Sequence, residues 1–199
     1  MAQTHEVKPL PFAYDTLEGI SEHVTRWHHD RIYTTYVERR NDIERQLQTV
    51  DRSTANPLHS EFAALKRHEL RVANGMVLHQ IYFEVLGGDG SSAHTRIHAR
   101  IEDDFGSLAS WREDFTACAL SAECWAVLAW DGAVDRLRNL VLDHDSAAAW
   151  GALPLIVIDV AEHAYFYDHG PKRAAYVEAF IGNLNWKQIE RRYVQVVPE

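Results

Sequence analysis

Basic residues are in the minority and cysteine is nearly absent. The 199-residue chain carries 20 Lys plus Arg against 29 Asp plus Glu, a formal net charge of −9. That balance argues against nucleic acid or an anionic membrane surface as a partner. Two cysteines, Cys118 and Cys124, are too few for a disulfide framework, and their neighbours Phe115, Leu120 and Trp125 mark both as small core residues. No apolar run has the length needed to span a bilayer, and the polar stretch Met1 to Lys8 lacks the apolar segment of a signal peptide. The expected compartment is therefore the cytoplasm. Internal repeats and low-complexity tracts are also missing. What the chain does have is a 46% hydrophobic fraction, ample for a packed core.

Periodicity divides the chain into two characters. From Gly19 and Ser21, a plausible helix start, the positions Ile20, Val24, Trp27, His28, Ile32, Tyr36, Ile43 and Leu47 recur at helical spacing, with His28, Ile32 and Tyr36 on one face. After the polar break from Asp51 to Pro57, a second helix runs through Phe62, Leu65, Val72, Met76, His79, Phe83 and Leu86, with His79 in its buried stripe. Two long helices with a short connection predict an antiparallel hairpin. The run Gly87-Gly88-Asp89-Gly90-Ser91-Ser92 is the clearest linker, so a domain boundary is expected there, between residues 1–88 and 89–199. Beyond it, helices are expected from His94 to Asp104 and from Ser107 to Ala119. A hairpin of Cys124 to Trp130 with Val134 to Leu142 turns at Asp131-Gly132, and Leu153 to Ile158 forms a third strand. Helices broken near Gly170-Pro171 and Gly182-Asn183 complete the chain. The predicted class is α+β: an N-terminal antiparallel helical hairpin, then an α/β domain with a small three-stranded antiparallel sheet.

Asp159 and His163 stand four residues apart where the third strand passes into a helix, a spacing that lets both point at one ion. With His28 and His79 they offer three imidazoles and one carboxylate. That nitrogen and oxygen set suits manganese or iron, and the absence of thiolates argues against a structural zinc site. Taken singly, a histidine on an apolar helical stripe is more often a core residue than a ligand. His29 points about 100° away from His28 on the helix.

Several fragments, in order, resemble the iron and manganese superoxide dismutase family over nearly the whole chain. They are Leu10-Pro11-Phe12-Ala13-Tyr14 through Leu17-Glu18, Trp27-His28-His29-Asp30 with Tyr36-Val37, Asn74-Gly75 followed by His79-Gln80-Ile81-Tyr82-Phe83, Phe105-Gly106-Ser107, Asp159 to Tyr165, and Asn185-Trp186. The resemblance implies that His28, His79, Asp159 and His163 bind one Fe or Mn ion per chain. It also implies that superoxide is the substrate, that Tyr36 stands at the mouth of the substrate channel, and that the protein is a homodimer or tetramer. In such a dimer Glu162 would reach the partner subunit's His163, orienting that imidazole. The family's outer amide, usually glutamine, hydrogen-bonds the solvent on the metal. Gly75 occupies the position that the iron enzymes use for it and His144 the position that the manganese enzymes use, so the role is expected to fall to His144. Arg173 is expected to attract the anion.

The chain departs from the family pattern in ways that belong together. Ala161 and Val127 stand where the family has indoles, while Ile32 and Phe166 replace a hydrogen-bonded histidine and tyrosine pair, a double apolar exchange that can be nearly neutral. The lost volume supports an alternative: a dismutase-fold metalloprotein with a widened pocket for another substrate, or a non-catalytic metal-binding protein.

Overall fold

The computed structural model describes residues 4–91 and 95–197. Ser21 starts the first helix, its hydroxyl accepting from the Val24 amide at 3.2 Å. α1 (Glu22–Trp27) runs without a break through a π-helical turn (His28–Tyr33) into α2 (Thr34–Thr49). The expected single α-helix is thus interrupted by a wider turn, in which the Thr34 hydroxyl donates to the His29 carbonyl at 3.1 Å. One consequence is a change of face. Ile32 is only half-buried, and Tyr33 is the residue that enters the core. Ser60 caps α3 (Glu61–Glu84), which packs antiparallel on α2 as the hairpin's second arm. The far end of the hairpin has its own small apolar cluster of Ile43, Val50 and Leu65.

Beyond the glycine-rich connection come α4 (Arg96–Phe105) and α5 (Leu108–Ser121), then β1 (Trp125–Asp131), β2 (Arg136–Leu142) and β3 (Ala152–Asp159). His94, the expected start of α4, and Ser92 of the linker lie outside the described residues. The sheet is antiparallel in the order β2-β1-β3, with a bulge on β3 opposite Leu128 and Ala129. α6 (Glu162–His169), α7 (Arg173–Gly182) and α8 (Trp186–Val196) follow, broken where the sequence places the breaks.

β1 and β3 are buried along most of their length, as their nearly continuous apolar sequences require, because helices cover both faces. One core runs through both halves, from Val24 and Val37 of the hairpin to Ile158 and Phe180. Where it meets the C-terminal end of β3, Asp159 pairs with Trp125 across the sheet.

Candidate metal centre

Four elements deliver one side chain each to the same buried point. His28 comes from the π turn, His79 from α3, Asp159 from the end of β3 and His163 from the first turn of α6. Their donor atoms all lie within 4.8 Å of one another. Three imidazole Nε2 atoms converge on Asp159 Oδ2, at 3.1 Å from His28, 3.5 Å from His79 and 2.9 Å from His163. Donors held about 2.1 Å from a shared ion stand about 3–4 Å apart, so these spacings suit one ion at the centre. His28, His79 and Asp159 are buried; His163 is the ligand candidate nearest solvent.

Each group is set from behind. The His79 Nδ1–H donates to the Gly75 carbonyl at 2.7 Å, which leaves the Nε2 lone pair facing the cluster. That Nε2 is buried and has no hydrogen-bond partner. An unpaired buried acceptor costs stability unless something fills its direction, and a cation does so. Asp159 Oδ1 accepts from the Ala161 amide at 2.9 Å, and Tyr176 donates to the Asp159 carbonyl at 2.7 Å, fixing the strand end.

Electrostatics fit a cation-binding pocket. Burial, with the nearby His28, pushes His79 down to about 3. Burial also lowers His28, outweighing its hydrogen bond to Asp159. For Asp159, burial would raise the carboxyl, but hydrogen bonds from His163 and His28 override it and hold it far below the usual carboxylate range. His163 is raised: burial lowers it, but the hydrogen bond to Asp159 and the negative charges of Asp159 and Asp145 together outweigh burial. Two imidazoles are therefore kept neutral and one carboxylate ionised, the protonation states that ligation requires.

Tyr36 borders the cluster, its ring 4.9 Å from that of His79, and its hydroxyl donates to Asp145 Oδ2 at 2.7 Å. Burial and that hydrogen bond raise the phenol well above its ordinary value. Asp145 is itself buried. Its other oxygen accepts from the Trp125 indole N–H at 3.0 Å, while Arg71 approaches Oδ2 at 3.3 Å. His144, the residue expected here, is exposed. The structure thus brings His28, His79, Asp159 and His163 together with Tyr36 beside them, leaves His144 exposed, and gives Tyr36 its chain neighbour Asp145 as hydrogen-bond partner. The signal available in the sequence was the pair of acids flanking His144, of which one turns inward once β2 ends. His29 holds the N-terminal segment, its Nε2 2.8 Å from the Lys8 carbonyl. Arg173 donates to the Ala122 carbonyl at 2.8 Å and lies over the Tyr165 ring, which ties its guanidinium to the scaffold.

Residues 4–87 match the family model described as iron/manganese superoxide dismutases, alpha-hairpin domain, and residues 93–192 match the C-terminal domain of the same family. The chain belongs to the iron/manganese superoxide dismutase family. Among its relatives in that family, superoxide dismutase [Mn] 1 of Halobacterium salinarum is 38% identical over 196 residues, covering 96% of each chain. Superoxide dismutase [Fe] of Cupriavidus metallidurans is 35% identical over 196 residues, covering 97% of this chain and 98% of its own. Superoxide dismutase [Fe] of Aquifex aeolicus is 36% identical over 196 residues, covering 95% and 92%. Manganese and iron proteins of the superoxide dismutase family thus stand at similar distances from this chain, and the donor set of three imidazoles and a carboxylate suits either ion.

Proposed function

We propose that the chain is a superoxide dismutase holding one iron or manganese ion between His28, His79, Asp159 and His163. When bound, iron or manganese supplies one-electron redox chemistry, which the conversion of two superoxide ions and two protons to oxygen and hydrogen peroxide requires. The observation that carries the reading is the His79 Nε2 atom, buried, without a hydrogen-bond partner and within 4.8 Å of the donor atoms of the other three residues.

The surrounding residues have assignable tasks. Asp159 balances the ion's charge and orders the imidazoles about one point. Tyr36 directs its proton to Asp145, so its oxygen is left as an acceptor beside the cluster. Asp145 takes the outer position assigned from the sequence to His144 and fixes both Tyr36 and Trp125. The same reading includes a cytoplasmic homodimer or tetramer and a boundary near residue 88. Glu162 is exposed beside His163, and Trp27, Phe166 and Tyr167 leave a large apolar surface around it, which supports pairing through this face with Glu162 reaching the partner subunit's His163. The cavity beside Val127 is lined by none of the four cluster residues, so the volume lost there does not widen the site of the ion.

Metal analysis and a superoxide assay on the same preparation test the reading. His79→Ala is expected to lose most of the bound iron or manganese and the activity together, because the remaining three donors no longer enclose the ion. Wild-type metal content in that variant would remove His79 from the ion; full occupancy without dismutation would refute the activity.

A further inference from the structure

A cavity of about 300 Å³ lies between α3 and the sheet. Val77 and Leu78 of α3, Val127 and Ala129 of β1, and Leu140 and Leu142 of β2 form its walls. Its position follows from strand alternation. Trp125, Val127 and Ala129 succeed one another at two-residue steps on one face of β1, so the cavity lies further along the face that begins beside His79. The first of these side chains is a large indole, and the next two are too small to fill the same depth. A run of alanines, Ala147 to Ala149, borders the half-open outer side and also leaves room. Trp150 sits at the corner of the following turn, closed by the Ala152 amide on the Ala149 carbonyl at 3.1 Å, and is 95% exposed.

The lining has one charged residue, Arg40. Its Nε pairs with Glu44 at 3.0 Å, but among the described residues Nη1 finds only the Met76 sulfur, at 3.9 Å. A thioether is a weak acceptor for a guanidinium. An apolar chamber with one cation whose outer nitrogens lack a strong acceptor matches a ligand with an aliphatic body and an anionic head. The volume lies at the lower end of the range for small-molecule sites.

We propose that this cavity binds a medium-chain aliphatic carboxylate, with the chain between α3 and the sheet and the carboxylate at Arg40. The site is independent of the ion and of the activity assigned above. Calorimetric titration of the full, metal-loaded chain with sodium hexanoate, sodium octanoate and 1-octanol tests it. Each buried CH₂ is worth about a fourfold gain in affinity, so octanoate is expected to bind at one saturable site more than tenfold tighter than hexanoate. Octanol, which lacks the charged head, is expected to bind more weakly than octanoate. Val127→Trp fills the chamber from the strand side and should abolish octanoate binding. Ala148→Trp fills it from the exposed loop, where folding is less at risk, and should do the same. Arg40→Gln should weaken octanoate towards the level of octanol. Absence of saturable octanoate binding, or wild-type affinity in both filled variants, would overturn the site. Undiminished affinity in Arg40→Gln would overturn the placement of the carboxylate.

Discussion

His144 and Asp145 adjoin in the chain, one exposed and the other buried. His144 lies in solvent, whereas Asp145 joins Tyr36 to Trp125. The family pattern pointed to the imidazole of His144 at the end of β2 and not to the acids beside it, because the residue that turns inward depends on where the strand ends and on the partner awaiting it. Here that partner is an indole N–H on β1, which needs a buried acceptor and has one in a carboxylate. Asp145→Ala should strand two buried donors, at about 1–3 kcal/mol each. Asp145→Asn keeps the shape but turns an amide N–H towards Tyr36, so the phenol must accept and its proton turns elsewhere. The expected result is near-normal metal content with an altered pH profile of turnover. His144→Ala should leave metal content, stability and profile unchanged, and a changed profile in that variant would restore the role to His144. The metal-free protein offers a further test at this scale. His79 falls from 6.5 unfolded to about 3 folded, so below pH 6.5 the unfolded chain takes a proton that the folded chain refuses. Stability should fall as pH drops through that window, by up to about 1.4 kcal/mol per pH unit for this group. Raised His163 acts oppositely, losing its contribution as pH rises. Denaturant melts of metal-free wild type and His79→Phe separate the two. A variant that loses stability at low pH as steeply as wild type would contradict the assignment.

Most elements were legible from periodicity because their buried stripes are long. α3 lies within the span expected for the second helix, and Leu153 to Ile158, an unbroken apolar run, is the buried strand β3. The π turn was not legible. Its six residues show no composition signal, and within it His28, His29 and Tyr33 are buried while Ile32 is only half-buried. The contact between the helical segment and α3 is equally specific. A Cβ on Gly75 would stand 2.2 Å from Tyr36 Cε1, so glycine at that position is what lets the ring lie beside His79. Gly75→Ala gains about 1 kcal/mol of helix propensity but must displace a packed ring, at about 1–3 kcal/mol. The clash should win. Net destabilisation and reduced turnover are expected, with His79 still able to hold the ion, so metal content should stay high. Unfolding curves, metal analysis and the superoxide assay on one preparation check all three. A more stable variant with full activity would show that Tyr36 has room to move.

At the scale of the molecule, the four donors come from the π turn, α3, β3 and α6, and so join the hairpin to the C-terminal half. The hairpin's far end, with Ile43, Val50 and Leu65, belongs to a separate cluster and lies outside that junction. Ion binding to the folded state alone adds about 2.7 kcal/mol at a free concentration one hundred times Kd. Because all four elements are needed to bring the donors together, that stabilisation should appear in the global transition and leave local opening of the hairpin tip unaffected. Tm should therefore rise with free manganese or iron in the wild type and stay flat in His79→Ala, with no assay of turnover involved. Hydrogen exchange should sharpen the result. Amides of β3 and α6 are expected to slow on loading, while those around Ile43 and Leu65 keep their metal-free rates. If the tip slowed equally, the hairpin would be coupled to the centre as one unit, and the two-cluster division of the core would not describe its energetics.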